Sequence, residues 1–335
     1  MPRPSPGPLA VVGALLLLVV LAASWLFPSG DYLYVPNEAQ PLRDRVSVGD
    51  RPDDDTRGGI FYVDVTVRRA RWAEVLVPFL RPEGATLVAG DQVEAHGNSS
   101  ERRRQAQADM DRSERIAAAV ALRAAGLQVT IRPRGVRVDA VLIDVPAATT
   151  LREGDVIIAA AGRPTLSPDA LLQAVRSVQP GDEIRLRVRR DARTFERAVR
   201  TVTAPGEPDR PVIGIQVSAD VAIRLPLEVK IDLGGVGGPS AGLAFALEVL
   251  QELGRDLDRG YRVAATGEVE LDGSVSAVGG LEQKTIGARR AGIDLFIVPS
   301  GDNAAVARRF AGTMRVVPVD TYQQALSALA TLTEI

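Results

Sequence analysis

The chain has 335 residues, with 40 Lys and Arg against 42 Asp and Glu, one histidine and no cysteine. A formal net charge of −2 and 4 % aromatic residues exclude a basic nucleic-acid footprint and leave few base-stacking side chains. The lack of cysteine excludes cysteine nucleophiles, thiolate metal sites and disulfides, and the length allows two or three domains.

Leu9 to Phe27 reads LAVVGALLLLVVLAASWLF, nineteen residues without a charge, enough to span a bilayer as a helix. Arg3 precedes it, Asp31 follows, and Trp25, Tyr32 and Tyr34 sit where an interfacial aromatic belt is expected. Residues 1–30 therefore read as a single-pass membrane anchor. The positive-inside bias puts the N-terminus in the cytoplasm and the remainder outside the cell membrane. A signal peptide cleaved near Ala22 and Ser24 is the alternative.

Residues 31–126 read as a membrane-proximal linker and a mixed α/β region. The stretch 28–58 is rich in Pro, Asp and Arg, with one strand expected at Tyr32–Val35. The run Asp53-Asp54-Asp55 lacks the spacing of a calcium loop and reads as a solvated turn. GIFYVDVTV at 59–67 alternates and is β-branched, which predicts a strand. Ser100 to Gly126 predicts a helix closed by Gly126. The one histidine, His96, lies in the polar stretch Glu94-Ala95-His96-Gly97-Asn98 and reads as a loop residue.

Residues 127–204 form a compact β-rich module. Strands are expected at Gly135–Val138, continuing through Ala140–Ile143, then LREGDVIIAAAG at 151–162, an amphipathic helix at Asp169–Val178, the turn Pro180-Gly181-Asp182 and a closing hairpin. The L-x-x-G-D-V-I-x-x-x-x-G pattern, the helix and the strand pair resemble a bacterial PDZ domain. The resemblance implies that an extended peptide adds as a strand. The expected groove lies between Gly135, Val136 and Val138 on the strand and Ala170, Leu171 and Val175 on the helix. A β-rich domain that only packs on its neighbours is the alternative.

After the Pro/Gly linker at 204–209, a last domain is expected at 211–335, opening with strands at Val212–Ile215 and Leu227–Asp232. A glycine loop, Gly234-Gly235-Val236-Gly237-Gly238-Pro239, leads to Ser240 and an apolar helix at Ala241–Gly254. A strand at 263–269 carries Thr266, and a helix at Leu281–Ala291 carries Lys284. Further strands at 295–299 and 314–319 and a helix at 322–332 make the domain α/β or α+β. Lys284 is one of two lysines among forty cationic residues. Unlike arginine, a buried lysine can lose its proton near neutral pH. A serine at a helix start and a lysine able to act as its base are the parts of a Ser–Lys hydrolase. Gly237 and Gly238 would let a substrate backbone approach and free N–H groups for an oxyanion.

GGPSAGLAFALEVL, AATGEVELDGSVSAVGGLEQKTIGARRAGI and FIVPSGDN occur here in the order and spacing of Lon-type proteolytic domains. The last domain resembles that family over about 211–335. With the apolar segment and PDZ-like module ahead of it, the chain resembles the membrane-anchored PDZ–Lon proteins of Gram-positive bacteria. The resemblance implies the Lon protease fold, Ser240 as nucleophile, Lys284 as general base, Thr266 as the hydroxyl orienting the amine, and a hexameric homo-oligomer. One departure stands out: Gly237 occupies a position at which many Lon proteases carry an acidic residue. Neither lysine follows a glycine, so no Walker A loop is present to bind ATP. No metal constellation or cofactor motif appears. The expected activity is an ATP-independent serine endopeptidase acting on extracytoplasmic or membrane-associated proteins. The alternative is a catalytically weak, membrane-anchored peptide-binding scaffold.

Overall fold

The computed structural model describes Val12, Leu15, Val19 and residues 22–49, 58–94 and 99–333. Most of the Leu9–Phe27 run, the acidic turn at Asp53-Asp54-Asp55 and His96 lie outside these residues. Among the described residues no helix is long and apolar enough to cross a membrane.

In chain order the first elements are β1 (Pro28–Pro36), β2 (Gln40–Pro41), β3 (Val46–Val48), β4 (Gly59–Tyr62), β5 (Val65–Arg71), α1 (Trp72–Leu76), β6 (Thr86–Val88), α2 (Gly90–Glu94) and α3 (Ser99–Ala124). Next come β7 (Thr130–Val141), β8 (Val156–Ala160), β9 (Arg163–Pro164), α4 (Pro168–Arg176), β10 (Glu183–Arg190), β11 (Arg193–Arg200), β12 (Val202–Ala204), β13 (Glu207–Val212) and β14 (Ile215–Arg224). The chain continues through β15 (Val229–Ile231), α5 (Gly242–Glu252), β16 (Arg262–Ala265), β17 (Glu268–Val269), β18 (Val275–Ser276), α6 (Leu281–Arg290), β19 (Leu295–Pro299), α7 (Asp302–Phe310), β20 (Arg315–Val319) and α8 (Tyr322–Ala330). Two units result. One joins Met1–Gln128 to Pro226–Ile335, and the other is Val129–Leu225, inserted between them in sequence.

The first unit is built on a five-stranded sheet of order β2-β4-β16-β19-β20. Three of its four pairings are parallel, and β2 is antiparallel to β4. Parallel strands buried on both faces read as continuous apolar runs, as LFIVP of β19 does, with every residue buried. Phe61, Ala264, Phe296 and Val298 of the sheet pack with Leu281 and Ala288 of α6 and Ala304 and Ala307 of α7. Helix α5 is buried from Gly242 through Leu250, which is why its apolar residues show no polar face.

Of the segment 28–58, read as a linker, the described residues 28–49 are instead woven into this unit. Strand β1 is the centre of an antiparallel sheet with β5 and β6, β2 extends the main sheet, and β3 pairs with β15. Strands of two or three residues leave no periodic signal, and their partners are supplied by distant sequence. The strand expected over 59–67 is broken at Val63 and Asp64. There the chain leaves the main sheet, where Tyr62 is aligned with Ala265, and joins β1 through β5.

The second unit holds a sheet of order β11-β10-β8-β7-β14, with β9 on β8. Ser167 caps α4, its Oγ accepting from the Ala170 N–H at 3.2 Å, and Pro168 opens the helix. The strands Val212–Ile215 and beyond were expected to open the last domain. Instead β14 aligns along β7 from Ile215↔Val141 to Arg224↔Thr130. This corrects the expected groove. Both edges of β7 are paired, by β8 and by β14. Val136, Val138, Leu171 and Val175 are core residues at 4 % exposure or less. At Gly135 an added Cβ would strike the Ile157 carbonyl at 2.8 Å, so this glycine serves the close packing of β7 on β8. The edge strand on this side of the sheet is β14.

Candidate active site

Ser240 lies in a single 3-10 turn, Pro239–Ala241, directly before α5. The chain enters this turn through Gly238 at φ 95°, a conformation that favours glycine. Helix α3 cradles the loop. The Gly238 N–H donates to the Ala106 carbonyl at 2.8 Å, and Ser113 Oγ donates to the Pro239 carbonyl at 3.0 Å. A Cβ on Gly242 would meet Ser113 Oγ at 2.7 Å, so the close approach of α3 requires glycine there. The Gly238 N–H is thus committed to α3 and is not offered to an oxyanion, contrary to expectation. Gly237 is exposed, and its Cα faces the Ala106 backbone.

Thr266 joins the two candidate catalytic residues. It is fully buried in the break between β16 and β17. Its Oγ1 donates to the Ser240 carbonyl at 3.0 Å and accepts from Lys284 Nζ at 3.3 Å. The Gly267 N–H also donates to the Ser240 carbonyl, at 2.8 Å. The strand break therefore holds the serine by its backbone and the lysine by its amine. Ser240 itself is half-buried, and its Oγ forms no hydrogen bond among the described residues.

Lys284 sits on the buried face of α6 at 4 % exposure. Burial disfavours its charged form and pulls it from the ordinary 10.5 down to about 8, and the Asp64 carboxylate opposes that fall. Asp64 is a site residue that sequence reasoning missed. It stands in the strand break after β4. Its Oδ2 accepts from Asn37 Nδ2 at 2.9 Å, and its buried Oδ1 has no partner among the described residues. The signal was a lone carboxylate inside the apolar run GIFYVDVTV. Ala106 and Ser113 of α3 were also missed, and nothing in their local sequence marks them. Among the described residues no group of three acidic or histidine side chains could hold a metal.

Residues 219–331 match the family described as the Lon protease (S16) C-terminal proteolytic domain, and residues 123–201 match the PDZ domain. One region is thus similar to a Lon proteolytic domain and another to a PDZ domain. Among curated relatives, the Lon protease of Mesomycoplasma hyopneumoniae is 37 % identical over 90 residues, 26 % of this chain and 10 % of that protein. The Lon protease of Clostridium acetobutylicum is 45 % identical over 75 residues, 22 % of this chain and 10 % of its own length. The chain thus spans about a tenth of these relatives. Among solved structures, the PDZ domain of an SdrC-like protein from Listeria monocytogenes is 25 % identical with a TM-score of 0.25, covering 26 % of this chain and 92 % of that one. The PDZ match stops at 201, whereas the sheet of the inserted unit continues to Arg224 through β14.

Proposed function

We propose that the chain is an ATP-independent serine endopeptidase working through a Ser240–Lys284 dyad. The observation that carries this reading is the link from Lys284 through Thr266 to the Ser240 backbone, with the amine desolvated. A neutral Lys284 takes the proton of Ser240 Oγ as the oxygen attacks the scissile carbonyl. The tetrahedral oxyanion is held by backbone N–H groups at the start of α5, where the helix end also favours negative charge. Pro239 has no N–H and that of Gly238 is taken, so the N–H of Ser240 itself is assigned here. Protonated Lys284 then gives its proton to the leaving amine, and a water repeats the cycle on the acyl-enzyme.

The proposal includes a single-pass membrane anchor at Leu9–Phe27 with the catalytic domain outside the cytoplasm, substrates that are extracytoplasmic or membrane-associated proteins, and a homo-oligomer, hexameric on the resemblance. It assigns peptide capture in the PDZ unit to the outer edge of β14 beside α4, because main-chain groups at a sheet edge can bond an added strand. The test is cleavage of an unfolded protein by the wild type and by Ser240→Ala. Cleavage by the wild type alone is expected. Equal cleavage by both removes Ser240 as nucleophile, and no cleavage by either leaves the scaffold reading.

A further inference from the structure

A second surface has no part in this chemistry. In α1, Ala73 and Glu74 are buried, while Trp72 and Leu76, one turn apart, are 47 % and 68 % exposed. The 3-10 turn Pro78–Leu80 extends the stripe with Phe79 at 85 % and Leu80 at 38 %. Four large apolar side chains, Trp72, Leu76, Phe79 and Leu80, are thus exposed along α1 and the 3-10 turn that follows it, a stripe of sequence rather than one helix face. The stripe adjoins the end of the apolar run. The Trp72 N–H donates to the Phe27 carbonyl at 3.4 Å, and Leu26 and Phe27 are themselves 76 % and 63 % exposed.

The charge around the stripe is positive. Arg71 lies over the Trp25 ring at 5.0 Å and Arg69 over the Tyr32 ring at 5.9 Å. Arg81 donates to the Glu74 and Val75 carbonyls that end α1. Among the nearby carboxylates, Glu74 is buried and paired with Arg68, and Glu83 is paired with Arg290 of α6. Aromatic rings beside arginines are the composition of a membrane–water interface.

We propose that the Trp72–Leu80 stripe docks into the interface of an anionic phospholipid bilayer. The inference rests on the reading of Leu9–Phe27 as a membrane anchor. The hydrogen bond from Trp72 to Phe27 sets Trp72 at the depth where that anchor would leave the hydrocarbon. A lipid occupant is favoured over a second copy of the chain by this continuity with the apolar run and by the arginines at its border. Docking would hold the first unit against the membrane by a second attachment, beyond the single tether at Phe27.

The chain has two tryptophans, Trp25 and Trp72, so full-length Trp25→Phe reports on Trp72 alone. It is reconstituted into phosphatidylcholine–phosphatidylglycerol vesicles carrying bromine either near the headgroups or deep in the acyl chains. Blue-shifted Trp72 emission is expected, quenched more by the shallow bromines. Adding Leu76→Asp and Phe79→Asp should reduce that quenching roughly twofold or more, with peptide cleavage and circular dichroism unchanged. Sedimentation with the vesicles after carbonate washing, with Trp72 unquenched and water-like, overturns the docking and leaves the anchor standing. Blue-shifted but unquenched emission that grows with the protein-to-lipid ratio assigns the stripe to a second copy and also overturns it. Failure to associate with vesicles at all overturns anchor and docking together.

Discussion

Asp64→Asn is the sharpest perturbation of the proposed dyad. An ordinary lysine titrating at 10.5 is neutral in roughly one molecule in 3,000 at pH 7. At about 8, where burial holds Lys284, the neutral share is roughly one in ten, a gain of roughly 300-fold in usable base. The wild-type kcat/KM should therefore rise about tenfold per pH unit below neutrality and level off near 8. Asp64 opposes the effect of burial, since its negative charge favours the protonated amine. Asparagine removes the charge and keeps an acceptor for Asn37. The profile should then level off below 8, with a larger share of full activity retained near pH 6.5. The plateau itself should not rise, because a less basic amine is a weaker proton acceptor. The assay is kcat/KM on a fluorogenic peptide from about pH 5.5 to 9.5, with circular dichroism to confirm folding. A variant that levels off at or above the wild-type pH would refute the electrostatic link between Asp64 and Lys284.

Three further outcomes follow from the same geometry. Thr266→Val, nearly isosteric, removes one of the two donors to the Ser240 carbonyl and the acceptor of Lys284. It should lower kcat with little change in KM and cost about 1 kcal/mol of stability by urea denaturation. Lys284→Met should abolish cleavage and raise stability. The unfolded chain keeps the lysine proton up to 10.5 and the folded site releases it near 8, so folded stability rises with pH between those values. Below 8 the buried amine costs about 3 kcal/mol, and thermal melts at pH 7 should show methionine relieving part of it. Glu248 in α5 has the opposite sign. It is buried at 2 % exposure, and its carboxyl is pushed from 4.5 to about 8, first by desolvation and then by Glu252. Its stabilising contribution is complete below 4.5 and lost as pH rises through 8, so Glu248→Gln should flatten the fall in melting temperature over that window.

The residues of the proposed dyad can be picked out from local sequence, whereas the groups packed around them cannot, for physical reasons. Ser240 announces itself by a glycine-rich turn running into an apolar helix, and Lys284 by being a lysine where arginine is the rule. Both are signals in local chain chemistry. The cradle that holds Ser240 comes from Ala106 and Ser113 in a charged helix whose own pattern says only that it is helical. Asp64 reaches the site because β4 and β5 belong to different sheets, and no local pattern states where a strand changes partners. The PDZ groove shows the same limit. Alternation identifies β7 as a strand but cannot say whether it lies at an edge, and its outer neighbour β14 comes from a segment that composition assigns to the next domain.

The insertion of Val129–Leu225 within the first unit also orders events during synthesis. Strand β4 is made early, but its parallel neighbour β16 follows about two hundred residues later, and Ser113 of helix α3 precedes by 126 residues the Pro239 carbonyl to which it donates. The inserted unit, whose β7, β8, β10 and β14 are all present by Arg224, has its whole sheet available first. Contacts of such long sequence separation form late and slowly. The proposed dyad therefore cannot assemble on a nascent chain until α6 has emerged, and an incomplete chain can carry the whole inserted unit before the partner of Ser240 exists.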